Sequence, residues 1–380
     1  MRNVMKGMIV FFSVVMTALI AILVFALVRS DEAFEFLGNA ENQITGKELV
    51  NTENISMNGM KEINIDANSC DVIFIQSDSD EMVIKEYVSN GNKKEPFLTT
   101  TVNDDTVVKL KAAKNRRSFF IFGSNRRFIE VYLPESYQGA VVLETSSGDI
   151  SSEIDLSLSE FRVNTSSGYL SLEKVAAAGI SINTSSGDLY AEGLYGKVKF
   201  ETQSGYVKVE EVEGNAQYSS SSGDLAIDRH IGDLTFNTSS GYSYMKEIEG
   251  DAEFSSSSGD ISVDTLTGDL KIDTSSGYVK VETLRGAADV NTSSGDIKLK
   301  FAVVTGDIMF TTTSGYISCI LPSDASFDFE ADTNSGEIYT NFDNELNFNR
   351  KGSEANGTIG SSPQFSVRVQ TSSGDIKFGN

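Results

Sequence analysis

Asp149, Tyr169, Asp188, Tyr206, Asp224, Tyr242, Asp260, Tyr278, Asp296 and Tyr316 alternate along the chain, each directly after a Ser-Gly pair. Carboxylates at regular spacing suggest a cation array. Calcium, however, takes six to eight oxygens with several carboxylates converging, and each copy of the motif supplies only one. The aspartates therefore read as turn residues that bond their own backbone and stay solvated, and no metal or other cofactor is expected. The tyrosines Tyr169, Tyr206, Tyr242, Tyr278 and Tyr316 are one residue out of phase with the apolar positions that follow, which points them outward. A tyrosine offers apolar area with a hydroxyl at its tip. The series is thus a candidate binding face for a protein, peptide or glycan.

A second candidate lies upstream. Val107 to Ile129 contains no acidic residue but carries Lys109, Lys111, Lys114, Arg116, Arg117, Arg126 and Arg127. Within it Phe119, Phe120, Ile121 and Phe122 precede Gly123. A hairpin with an apolar tip and basic shoulders suits anionic lipid headgroups or an anionic wall polymer. Arg116, Arg117, Phe119, Phe120, Phe122, Arg126 and Arg127 would make that contact. In the competing reading the phenylalanines cap the first repeat and the cations pair with the acidic chain.

Composition removes other classes. A formal net charge of −23 excludes nucleic acid as the expected partner. The single histidine, His230, reads as a surface position in a repeat turn, too little for imidazole catalysis. Cys70 and Cys319 are far apart in sequence and read as two independent thiols. A glycan-cleaving enzyme would need paired carboxylates breaking the repeat on one face, and the deviations are mild. The expected function is non-enzymatic; a polysaccharide-acting β-helix enzyme and a passive spacer are the alternatives.

The elements that position these residues follow from the period of about 18. Such a repeat is the mark of a solenoid, in which each unit buries its apolar face only against its neighbours. After Gly277, Val279, Val281 and Leu284 are apolar; after Gly286 come Ala288 and Val290, then Thr292 and the next motif. Period-two alternation makes each unit two short strands, with glycine at both corners for turns that need positive φ. No proline interrupts the chain between Pro134 and Pro322. Thr184, Thr202, Ser220, Thr238, Ser256, Thr274 and Thr292 share the parity of the core and should form a hydroxyl ladder at the corner. Ala216, Ala252 and Ala288 alternate with Val198, Leu234 and Leu270, so small and large residues should alternate from rung to rung. An 18-residue rung is favoured over a 36-residue one, because tyrosine then separates successive aspartates in the stack.

The fold expected is all-β, a parallel β-solenoid (β-helix) of ~18-residue rungs after a single N-terminal transmembrane helix. Residues 8–28 are apolar apart from Ser13 and Thr17, long enough as a helix to span about 31 Å, close to a bilayer core. Arg2 and Lys6 precede this run, while Asp31 and Glu32 follow it. Residues 1–7 are therefore read as cytoplasmic and the C-terminal domain as extracytoplasmic, anchored in the cell membrane. Residues 29–55 read as a stalk, 56–140 as an N-terminal β region capping the solenoid, 141–321 as the regular array, and 322–380 as irregular rungs and cap.

Val131-Tyr132-Leu133-Pro134, then Val141 to Ile150 with its Thr145-Ser146-Ser147-Gly148-Asp149, then the repeated Thr-Ser-Ser-Gly units, resemble a bacterial β-strand-repeat family labelled "putative adhesin". The similarity spans roughly residues 56–380. The resemblance implies a membrane-anchored parallel β-solenoid, a link to cell-envelope stress in some relatives, and no catalytic residues. A cell-envelope protein, peptide or glycan is the partner it implies.

Overall fold

Period-two alternation does produce two strands per repeat. Val279–Arg285 buries Val279, Val281 and Leu284; after the Gly286 corner, Ala288–Thr292 buries Ala288, Val290 and Thr292. We call the strand after Ser-Gly the leading strand and the one after the second glycine the return strand. In this computed structural model, which describes residues 47–89, 95–103, 106–113, 126–342 and 344–380, leading strands pair in parallel with leading strands and return strands with return strands. The result is an all-β parallel solenoid. Among the described residues no helix is long and apolar enough to cross a membrane, and the expected span 8–28 lies outside them.

The register settles the length of a rung. Val207 lies opposite Leu225, Leu225 opposite Ser243, Ser243 opposite Ile261 and Ile261 opposite Val279, a step of 18 each time. The 36-residue alternative is thereby overturned. One core column runs Val198, Ala216, Leu234, Ala252, Leu270, Ala288 and Ile308, the small–large alternation of the sequence. Beside it Phe200, Tyr218, Phe236 and Phe254 stack as a buried aromatic column. Fully burying a phenylalanine side chain contributes about 1.5–3 kcal/mol, so the column is a main source of stability.

The motif glycines are needed for a reason different from the expected one. Gly241 and Gly277 do have positive φ, at 135° and 141°. Gly223, Gly259 and Gly295 do not, yet at every one of the five a Cβ would overlap the carbonyl oxygen of the motif glycine one rung earlier. Axial approach of backbone to backbone, more than turn geometry, excludes a side chain here. The hydroxyl ladder is present but bonds the backbone. Thr184, Thr202, Ser220, Ser256 and Thr292 accept from the N–H of the next motif glycine at 2.6–3.1 Å. Thr165, Thr238 and Thr274 instead donate to a serine carbonyl two residues on.

Both ends are built out of chain order. At the N-terminal end, the rung of Glu62–Asn68 and Asp71–Gln76 sits between that of Val107–Ala112 and Arg127–Leu133 and that of Ala140–Thr145 and Ile150–Ser152. Antiparallel strands Glu81–Ser89 and Leu98–Asn103 cover the outer edges. Lys47–Ser56, which begins within the segment read as a stalk, pairs with Glu81–Ser89. The buried Glu86 carboxylate joins these pieces, accepting from the N–H groups of Phe97 and Leu98 and from Asn51 Nδ2 at 2.7–2.8 Å.

At the C-terminal end, Phe365–Ser373 and Ile376–Gly379 come last in the chain but are not the last rung. They are inserted instead between Ile308–Ser314 and Ile317–Ile320 on one side and Phe327–Thr333 and Ile338–Thr340 on the other. The Asn-, Gly- and Ser-rich segment after residue 341 contains the outermost cap: Glu354–Ile359, antiparallel to Phe327–Thr333, with Leu346–Phe348 beside it. Phe327, Phe329, Phe342 and Phe378 cluster beneath it, with contacting ring centroids 4.6–6.4 Å apart. Among the described residues, the end rungs are thus covered by antiparallel strands instead of being left as bare parallel edges.

Candidate functional site

Strand pairing puts the tyrosines and aspartates in one column on the outer face of the leading strands, at the corner where each strand begins. The aspartates bond across rungs rather than within their own turn. Asp149 Oδ1 accepts from the N–H of Tyr169, Asp188 from Tyr206, Asp224 from Tyr242, Asp260 from Tyr278 and Asp296 from Tyr316, all at 2.7–2.9 Å. Each carboxylate therefore clamps the following rung. The donor is a backbone N–H, so the bond accounts for each aspartate and not for the tyrosine one rung on. Among the described residues no three His, Cys, Asp or Glu side chains are grouped to hold a metal ion.

Exposure grows along the tyrosine column. Tyr169, Tyr206 and Tyr242 are half-buried, whereas Tyr278 and Tyr316 are 39 % and 40 % exposed. Successive tyrosines lie two rungs apart, about 9.6 Å at ~4.8 Å per rung. A neighbouring outward column, two residues further along each strand, adds Tyr190 and Tyr244. Tyr190 donates to Glu210 at 2.7 Å and Tyr244 to Asp264 at 2.6 Å, each one rung on. Burial and the accepting carboxylate hold both phenols well above their ordinary range. These two tyrosines were not singled out in the sequence, although their parity with the first column marks them as outward.

The same face carries a column of acids. Burial and the neighbouring Glu192 raise the Glu173 carboxyl. Arg229 spans its neighbours, with Nη1 3.0 Å from Glu211 and Nη2 2.9 Å from Glu249. The Tyr190–Glu210, Tyr244–Asp264 and Arg229 contacts leave much of this acidic surface already bonded within the face.

Of the basic hairpin residues, Arg116, Arg117, Phe119, Phe120 and Phe122 lie outside the described residues. Arg126 Nη2 is 3.0 Å from Asp71 and 3.1 Å from Asp149, so it ties two rungs together. Arg127 donates to the Ala113 carbonyl at 2.9 Å and lies over the Phe97 ring at 4.9 Å. Both arginines thus contact the cap and first rungs of their own chain.

His230 is not at the surface. It replaces an aliphatic residue in the core column between Val212 and Ile248 and is fully buried, with no hydrogen bond reaching either ring nitrogen. Burial pulls its pKa down, and the nearby Gly232 and Asp233 backbone and the Asp233 carboxylate pull more weakly the other way. Cys70 and Cys319 are free and buried, and burial raises the Cys70 thiol to about 12.

The Toastrack DUF4097 family profile matches residues 60–265 and 217–378. The chain belongs to the Toastrack DUF4097 family. Among solved structures this family member is similar to a "putative cell adhesion protein" from Clostridium sporogenes, with 10 % identity, 88 % of this chain and 98 % of that one covered, and a TM-score of 0.20. It is also similar to a "putative adhesin" from Parabacteroides merdae, with 13 % identity, 73 % and 97 % covered, and a TM-score of 0.35. A third, a "putative adhesin" from Bacteroides fragilis, shows 10 % identity, 87 % and 97 % covered, and a TM-score of 0.30. No curated protein matches this Toastrack chain.

Proposed function

We propose that this Toastrack protein is a non-enzymatic surface module of the cell envelope, held by residues 8–28 in the membrane, which adheres to a protein, peptide or glycan through its leading-strand face. The observation that supports this reading is the double column of outward tyrosines on a rigid parallel sheet. The exposed rings of Tyr278 and Tyr316 present apolar area at two-rung intervals. Of the carboxylates on this face, Asp260 and Asp296 clamp the fold, Glu210 and Asp264 accept from tyrosine hydroxyls, and Glu211 and Glu249 pair with Arg229.

The test is binding of the full chain to a panel of envelope glycans and peptides, with Tyr278→Ser and Tyr316→Ser combined. Loss of two aromatic anchors should weaken binding by about 10- to 100-fold. Undiminished binding would remove the tyrosine face from the reading. Turnover of any polymer would sink the non-enzymatic assignment, and absence of any binding would leave a spacer.

A further inference from the structure

A second acidic column runs along the corner between leading and return strands. Asn215 Oδ1 accepts from the N–H of Asp233, Asp233 from Asp251, Asp251 from Asp269, and Asp269 from Ala287, at 2.8–3.3 Å. Unlike the motif aspartates, Asp233, Asp251 and Asp269 stack in consecutive rungs with no uncharged residue between them. Like charges directly opposite on adjacent strands are destabilising. Beside the column lies a groove of about 580 Å³, whose lining adds Asp289, Asp307 and an apolar floor that includes Leu270 and the 44 % exposed Met309. The one lysine in the groove, Lys271, is bonded to Glu253 at 2.6 Å.

We infer that this groove receives the basic segment 114–125 of a second copy of the chain. The segment offers what the groove lacks. Lys114, Arg116 and Arg117 are cationic, Phe119, Phe120, Ile121 and Phe122 are apolar, and no acid is present. The same copy cannot make the contact. The segment is tied at Ala113 and Arg126, on the rung of Val107–Ala112 and Arg127–Leu133. A doubly tied stretch of this length reaches at most about 23 Å from its base. Seven successive pairings separate that rung from the return strand Leu234–Thr238 that follows Asp233. At ~4.8 Å each, the gap is about 34 Å.

Two different surfaces meet in this contact, so it is heterologous. It therefore propagates into open assemblies of several copies unless the rotation closes a ring. It is independent of the tyrosine columns and of whatever they bind.

The test is light scattering of the purified full chain against concentration and salt. Asp233→Asn, Asp251→Asn and Asp269→Asn together keep the Oδ1 acceptors, as native Asn215 does in the same column, while removing three charges. Arg116→Ser with Arg117→Ser is the complementary variant. The wild type should associate at low salt and dissociate at high salt, and each variant alone should stay monomeric with unchanged circular dichroism. An equal mixture of the two retains one competent groove and one competent segment, so it should form dimers and stop there. A monomeric wild type at low salt, or a groove variant that associates like the wild type, overturns the proposal. So does loss of anionic-vesicle binding in the arginine variant without any change in association, which would assign the segment to lipid.

Discussion

At the scale of single residues, chemistry that resembles a ligand site is spent on holding rungs together. Asp260 accepts the Tyr278 N–H at 2.7 Å, and replacing it by alanine leaves that donor to water. Asp260→Ala should cost about 1 kcal/mol and Asp260→Asn less, because an amide oxygen can still accept; urea unfolding of both would check this. His230 makes the clearest pH prediction. Its folded pKa is depressed by burial, so below the unfolded value of about 6.5 the unfolded chain takes up a proton that the folded chain refuses. Stability is complete above that pH and declines as pH falls toward the folded pKa. His230→Val, matching Val212 in the same column, should flatten the fall in thermal midpoint between neutral and mildly acidic pH. A slope identical to the wild type would contradict the assignment. The alternation of Asp and Tyr was plain in the sequence. The partner of each aspartate was not, because a hydrogen bond between residues 18 or 20 apart needs the rung register first. His230 was misplaced for a similar reason: a lone polar residue in an apolar column is visible only after the columns are aligned.

At the scale of strands and corners, the sequence was most legible where period and parity decide the outcome. Two strands per unit, parallel stacking, the small–large alternation through Ala216, Ala252 and Ala288, and the inward corner hydroxyls all follow from which residues share a face. The cause of the glycine column does not, since close approach along the axis is a property of the stack. Gly259→Ala would press a methyl against the Gly241 carbonyl, and overpacking of this kind costs about 1–3 kcal/mol. Gly179→Ala meets nothing within 4 Å and should leave stability within about 0.5 kcal/mol of wild type, as for an ordinary surface change. Denaturant midpoints for the two, measured side by side, separate axial crowding from a general intolerance of alanine at glycine. If both were equally damaging, crowding would not be the cause.

At the scale of the whole molecule, regularity ends where the chain leaves sequential stacking. Neither displaced rung could be read in advance, because a repeat pattern reports membership of the stack but not the order in which copies lie. Removing residues 365–380 should take out an internal rung and expose two facing edges, leaving soluble yield far below that of the intact chain. A truncated chain that stayed soluble and kept the wild-type thermal midpoint would argue against the inserted position. The arrangement also governs the order of assembly. From Ala140 to Ile320 the array can grow turn by turn as the chain emerges, but the strand at Phe327–Thr333 then joins the stack only through Phe365–Ser373. Synthesis must pass Gly379 before that end can seal. A product terminated before Phe365 is consequently a solenoid with a missing step, open to proteolysis.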